Sequence, residues 1–447
     1  MIELRLSEAA KFIGGAFEGI DKTFRGVSTD TRKIRENELF IALKGLNFNG
    51  NDFVNEAFTK GAAGCIVGYV KEKDKQSIFV EDTRIALGKL AYCWREEMPS
   101  KIIAITGSNG KTSLKELLAS CISIKANTLS TEGNLNNDIG LPSMLLKLND
   151  SHDFAVLEMG ANRPKEIEYL VNLANPHVVV INNAATAHIE GFIDLNGVAK
   201  AKGEILQGRV APKYAILNYD DAYFSLWNEM AVNSEVISFG LNSKAMIYAR
   251  NIQIQKEFSY FHLILPDDSI DIRLKLLGNH NVMNACAAGA VMYSLGRSSR
   301  EIKEGLERAS SVTGRLQLMD TRSDHTIIND SYNANPTSTV AAIEYLKSMR
   351  NKKIFVFGDM KELGDNSNNM HAVIGEKAKN MGIDYLFAVG EMTKYTVKEF
   401  GKNGFWFASI DELIANLRSM MRDNKNMSIL VKGSRSMRME KVVSQIV

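Results

Sequence analysis

Lys101-Ile-Ile-Ala-Ile-Thr-Gly-Ser-Asn-Gly-Lys-Thr-Ser113 is the stretch that decides the fold. Ile102 to Ile105 is a short apolar, largely β-branched run, which suits a buried parallel strand. Gly107 and Gly110 permit a tight turn whose amide N–H groups face inward around an anion. From Leu114 to Ile122 the apolar residues recur at helical spacing, so a helix N-terminus faces the same point. Strand, loop and helix together form a cradle for a nucleoside triphosphate. Ser108 and Asn109 complete the loop, Lys111 reaches the β- and γ-phosphates, and the Thr112 hydroxyl holds Mg²⁺. The usual form of this loop has four residues between its first Gly and the Gly-Lys pair. Here only Ser108 and Asn109 intervene, and the plain alternative is a strand-to-helix turn with a solvated Lys111.

The remainder of the chain sets bounds on the answer. Its 447 residues suggest about three domains, and 45% hydrophobic with 24% charged content is that of a soluble globular protein. The start, Met1-Ile-Glu-Leu-Arg-Leu6, lacks a basic segment followed by an apolar block. No stretch approaches the roughly 20 apolar residues that span a bilayer, so a cytoplasmic protein with no membrane partner is expected. Cys65, Cys93, Cys121 and Cys286 are scattered, without CxxC spacing, as in free thiols of a reducing compartment. Lys and Arg total 54 against 52 Asp and Glu, a net charge of +2 that gives no footprint for nucleic acid.

Taken in order, residues 1–97 read as a small α/β unit in which Ser7 caps a first helix. Its polar loops carry Ser28, Thr29, Asn47 and Asn49 as neutral hydrogen-bonding groups. Arg32 adds a bidentate cation and Phe48 a stacking face. A uracil, sugar and diphosphate would ask for that mixture, and ordinary turns share it. Residues 98–312 form the central domain, with strands Lys101–Thr106, 153–159, 177–182 and Tyr214–Asn218 separated by helices. That alternation implies a mostly parallel sheet with ligands at the carboxyl strand ends. Glu158 closes one strand, where it can hold Mg²⁺ or pair with a lysine. His188 follows another, as ligand or as polar filler. The amide-dense loop 130–140 includes Asn134, Asn136 and Asn137, which bind a polar ligand or satisfy their own backbone. Ala201-Lys-Gly-Glu-Ile205 opens a helix. Residues from about 235 to 276 read as an antiparallel meander, followed by Asn279, Asn281 and Asn284 at the start of a buried helix. Residues 313–447 form a third, doubly wound α/β domain. No GxGxxG follows its first strand. Instead Asn329-Asp-Ser-Tyr-Asn-Ala-Asn-Pro336 leads into a helix with Pro336 at its first position.

In order and over nearly the whole length, these motifs resemble those of the Mur ligases. The resemblance rests on the shortened loop Thr106–Thr112, Thr131–Pro142, Glu158-Met-Gly-Ala161, His188-Ile-Glu-Gly191 and Ala201–Ile205. It continues through Leu277–Asn284, Thr313-Gly-Arg315, Asp330–Pro336 and Gly358-Asp-Met-Lys-Glu-Leu-Gly364. Asn329 stands where the family commonly has an acidic residue, and the loop 47–53 lacks a His often found there.

The resemblance implies a three-domain α/β protein: a uridine-nucleotide domain, a central P-loop ATPase domain with an antiparallel addition, and a Rossmann-like C-terminal domain. It implies an ATP-dependent amide ligase that joins D-alanyl-D-alanine to UDP-N-acetylmuramoyl-tripeptide through an acyl phosphate, and that acts as a monomer. A folylpolyglutamate synthase is the nearest alternative, against which the Asp330–Pro336 stretch argues. By the same resemblance, Lys111, Glu158, His188 and Lys202 are catalytic. Thr112, Glu158 and His188 hold two Mg²⁺ ions, with Lys202 joining them when carbamylated and Lys200 its competitor for that role. Gly107 to Thr112, Asn279, Asn281, Asn284, Arg315 and Asp330 bind ATP. Ser28, Thr29, Arg32, Asn47, Phe48, Asn134, Asn136, Asn137, Tyr332, Asn333 and Asn335 bind the other substrates.

Overall fold

The apolar run Lys101–Thr106 is an interior strand of a nine-stranded sheet, third from one edge and buried from Ile102 onward. In the computed structural model, which describes residues 1–68, 76–185, 192, 194–321 and 324–447, three larger sheets carry the chain. On one side the strand Lys101–Thr106 pairs in parallel with Phe154–Glu158, so that Ile105 stands opposite Glu158. On the other it pairs with Val178–Ile181, so that Thr106 stands opposite Ile181. The chain fills one flank with Thr128–Ser130 and Phe154–Glu158, then crosses to fill the other. The carboxyl end of Lys101–Thr106 therefore faces the crevice where connections diverge, the usual ligand position of such sheets.

Helices cover both faces of this sheet. Lys111–Ile122 and Asn279–Ser294 pack on one side through Leu114, Leu118, Val282 and Ala285. On the other side Thr83–Glu96 belongs to the same core as Gly140–Leu145 and Glu166–Ala174, with Leu87, Leu90 and Trp94 beside Met144 and Leu170. The first unit thus shares apolar packing with the central sheet. Its own strands form a five-stranded sheet and a two-stranded ribbon. The C-terminal sheet runs Gln317–Met319, Thr326–Asp330, Met427–Lys432, Lys352–Gly358, Tyr385–Val389, Gly404–Phe407, parallel except at its first pair. Among the described residues no helix is long and apolar enough to cross a membrane.

Several local expectations change. Ser7 lies inside the helix Leu6–Ile13, whose N-cap is Arg5, and the Arg5 N–H donates to Glu8 Oε2 at 2.8 Å. The Ser7 hydroxyl instead donates to Asp21 at 2.9 Å. Ala201–Ile205 closes a helix rather than opening one, because Asp194 caps Leu195–Gly203 by accepting from Gly197 N–H at 2.7 Å. Glu235–Gly240 pairs in parallel with Tyr214–Asn218, so the antiparallel addition begins at Ile247–Ile254, which pairs antiparallel with Ser259–Ile264, as that strand does with Ser269–Leu274. The edge strand Gln317–Met319 was hidden by its length of three residues.

Candidate active site

Gly110 is the last residue before the helix Lys111–Ile122 and sits at φ +80°. A Cβ there would lie 2.6 Å from Asn182 Nδ2 and 2.8 Å from Asn284 Oδ1, so glycine alone fits. The loop before it is fixed by a lattice of side-chain amides. Asn109 N–H donates to Asn183 Oδ1 at 2.9 Å, and Asn109 O accepts from both Asn182 Nδ2 and Asn183 Nδ2 at 3.0 Å. Asn182 Nδ2 also donates to Asn284 Oδ1 at 2.9 Å, and Asn284 Nδ2 to Asn281 Oδ1 at 3.1 Å. Asn281 in turn donates to Leu277 O at 2.9 Å. This neutral lattice holds the loop without adding charge that would compete for a phosphate. Lys111 folds its amine back onto Gly107 O at 2.5 Å. Burial and the nearby Arg315 cation lower the Lys111 pKa, and the Glu158 carboxylate opposes them.

Glu158 is 2% exposed. Its Oε2 lies 3.4 Å from Thr112 Oγ1, while its Oε1 is buried without a hydrogen-bond partner. Such an orphan acceptor carries a large desolvation cost unless a ligand answers it. Lys202 is equally buried, and its pKa is pushed down to about 7, first by burial and then by the Lys111 charge. Its amine lies 5.8 Å from the centre of the Phe192 ring. Among the described residues no three His, Cys, Asp or Glu groups stand together as a ready cation site. Thr112 and Glu158 nevertheless present hard oxygen donors of the kind Mg²⁺ takes alongside water and substrate phosphates.

The C-terminal domain reaches onto the same loop. Arg315 donates to Thr112 Oγ1 at 3.1 Å, its guanidinium 4.3 Å from the Tyr332 ring centre. Asn335 Nδ2 donates to Asn109 Oδ1 at 2.7 Å, while its Oδ1 accepts from Ser338 N–H at 2.9 Å and so caps the helix Pro336–Lys347. Asp330 accepts from Leu316 N–H at 3.0 Å through Oδ1 and from Lys432 Nζ at 2.6 Å through Oδ2. Lys432 also donates to the Asn333 carbonyl at 2.9 Å. His280 lines the same cavity. Burial takes its pKa down to about 4 despite the Asp330 carboxylate.

These groups enclose a cavity of about 1220 Å³ between the central sheet and the C-terminal domain. Three family models cover the chain: the Mur ligase family catalytic domain at residues 23–92, the Mur ligase middle domain at 105–292, and the Mur ligase glutamate ligase domain at 314–435. The chain belongs to the Mur ligase family. A relative from Escherichia coli K12 named UDP-N-acetylmuramoyl-tripeptide–D-alanyl-D-alanine ligase is 40% identical over 444 residues, 99% of this chain and 98% of that one. A Bacillus subtilis protein of the same name is 33% identical, covering 94% and 93%. Among solved structures, MurF from Acinetobacter baumannii superimposes with a TM-score of 0.95 at 34% identity, over 100% of this chain and 99% of that one. MurF from Thermotoga maritima in complex with ADP gives 0.85 at 26% identity, over 94% and 96%.

In this Mur ligase the cavity gathers most of the residues singled out from sequence. Ser108 to Thr112, Asn134, Asn136, Asn137, Glu158, Lys202, Asn279, Asn281, Asn284, Arg315, Asp330, Tyr332, Asn333 and Asn335 all line it. Gly107 lies behind them as the acceptor for Lys111. His188 falls outside the described residues. Ser28, Thr29, Arg32, Asn47 and Phe48 border no part of this cavity. Ser28 Oγ donates to Asp30 O at 3.0 Å, and Arg32 pairs with Asp30 at 2.8 Å, which holds the Asp30 carboxyl at about 2. Asn47 and Phe48 are exposed. The site also contains residues that sequence reading missed, among them Asn182, Asn183, His280 and, from the first unit, Arg84. The adjacent Asn182-Asn183 pair at a strand end was a usable signal.

Proposed function

We propose that this chain is the cytoplasmic ATP-dependent ligase that joins D-alanyl-D-alanine to UDP-N-acetylmuramoyl-tripeptide, releasing ADP and phosphate, for peptidoglycan synthesis. In this reading residues 1–97 receive the uridine nucleotide, 98–312 hold ATP, and 313–447 close over ATP and receive the dipeptide. The observation that carries it is the buried, unanswered Glu158 Oε1 at the mouth of a phosphate loop onto which Arg315 and Asn335 also converge. Relatives that bear this activity in their names match the chain over nearly its full length.

The chemistry follows from the parts. The terminal carboxylate of the tripeptide is a poor electrophile. One of its oxygens attacks the γ-phosphorus, the β,γ-bridging P–O bond breaks, and ADP departs. The free amine of the dipeptide then attacks the acyl carbon, the C–O bond to phosphate breaks, and the amine gives up a proton as the amide forms. Lys111 neutralises the phosphates during the first step, and the amide lattice fixes the loop so that the γ-phosphoryl points into the cavity. Thr112 and Glu158 would hold Mg²⁺, joined by His188 and a carbamylated Lys202, and the metal would supply further charge neutralisation. Arg315, drawn onto Thr112, helps close the site, which protects an acyl phosphate from water. No side-chain nucleophile is needed.

The test is to supply ATP, D-alanyl-D-alanine and the tripeptide nucleotide and to measure ADP, phosphate and ligated product. Stoichiometric formation of all three is expected, with loss on Lys111→Ala in a protein that still folds. AMP with pyrophosphate, or turnover without the amine, would overturn the reading.

A further inference from the structure

We propose that the Arg84–Asp138 pair reads the far end of the tripeptide's third residue and selects a side chain that ends in an α-amino acid zwitterion, as diaminopimelate does and lysine does not. The inference rests on the ligase reading above and deepens it. Among the described residues of the first unit, Arg84 alone borders the cavity. A nucleotide seated on that unit must pass this edge to bring its terminal carboxylate to Lys111. The third residue carries that reacting carboxylate, so its side chain ends one extended chain length from the reacting centre, within the same cavity.

Away from the phosphate loop, two other carboxylates of the central-domain wall are already engaged by backbone N–H groups. Glu166 accepts from the Asn162 and Arg163 N–H groups at 2.7 and 3.3 Å, and Asp221 from Ala184 and Tyr223, both at 2.9 Å. Arg84 Nε and Asp138 Oδ2 meet at 2.6 Å, but their side chains remain 55% and 33% exposed. An ion pair so open to solvent contributes little to stability. It is nevertheless held on fixed backbone. Arg84 is the second residue of the helix Thr83–Glu96, whose Asp82 cap accepts from Arg84 and Ile85 N–H at 2.7 and 3.1 Å. Asn137, beside Asp138, ties the loop by accepting from Ile139 and Gly140 N–H at 3.3 and 2.9 Å.

A guanidinium carried on fixed backbone next to a carboxylate matches a zwitterion group for group. The guanidinium takes a carboxylate in bidentate fashion, and the carboxylate takes an ammonium. A side chain ending in ammonium alone answers Asp138 only and brings a like charge to Arg84.

The experiment compares kcat/KM for nucleotides carrying meso-diaminopimelate or L-lysine, with ATP and D-alanyl-D-alanine saturating, in the wild type, Arg84→Gln and Asp138→Asn. Arg84→Gln should lower the diaminopimelate value by roughly tenfold or more, change the lysine value by less than about threefold, and leave the KM for ATP unmoved. Asp138→Asn should lower both. Equal losses with the two nucleotides in Arg84→Gln, no loss, or an effect confined to the KM for D-alanyl-D-alanine would overturn the inference. Wild-type turnover with either nucleotide keeps the ligase reading intact whatever the ratios show. Absence of turnover with both removes that reading and this one together.

Discussion

Gly110→Ala should cripple nucleotide binding while the protein stays folded. Two costs add. An L-residue at φ +80° sits in left-handed backbone, at about 1–2 kcal/mol. The new methyl would also lie 2.6 Å from Asn182 Nδ2 and 2.8 Å from Asn284 Oδ1, the two atoms that hydrogen-bond each other at 2.9 Å. Parting them leaves buried amide groups without partners, at about 1–3 kcal/mol. The sum, about 2–5 kcal/mol, falls on the loop that must present its N–H groups to phosphate. If the loop recovers its shape only when nucleotide binds, affinity drops by about thirtyfold to a few thousandfold. Calorimetric titration with ADP reads this, beside a thermal melt that shows the fold is kept. Asn182→Ala in the same chain opens room for the methyl, so the double variant should bind better than the two single losses would add to. Binding by Gly110→Ala within threefold of wild type would refute the reasoning.

Three other outcomes are expected. Glu158→Gln keeps the shape but not the charge beside Thr112, and should raise the Mg²⁺ concentration at half-maximal activity with little change in melting temperature. Asn335→Ala removes both a helix cap and the contact to Asn109, and should cost about 0.5–2 kcal/mol of stability in urea unfolding while raising the KM for ATP. His371 is fully buried, with Nε2 accepting from Met360 N–H at 2.9 Å and Nδ1 within 2.8 Å of Ser367 O, and burial lowers its pKa below the ordinary 6.5. The unfolded chain therefore binds the proton first, so His371 costs stability as pH falls through about 6.5, and His371→Gln should flatten the melting-temperature loss between pH 7.5 and 5.5.

Most of the fold was legible because its strands are continuous apolar runs and its loops carry glycine at forced positions. Lys101–Thr106 and Tyr214–Asn218 have the predicted bounds. What escaped were features set by tertiary packing. Gln317–Met319 is a strand only because Thr326–Asp330 pairs with it. The helix bearing Lys202 starts at the Asp194 cap, upstream of the Ala201–Ile205 segment read as its opening. At the site, Lys111, Thr112 and Glu158 could be read from local pattern. The direct pairing of Lys432 with Asp330 could not, because 102 positions separate them and only the sheet brings them to 2.6 Å. Arg84 likewise meets Asp138 only through packing of its helix on the central domain.

The most direct test labels both oxygens of the tripeptide's terminal carboxylate with oxygen-18 and follows them through one turnover. Transfer of the γ-phosphoryl from the Lys111 loop to that carboxylate predicts one labelled oxygen in the released phosphate and the other in the new amide. Phosphate free of label would contradict the account.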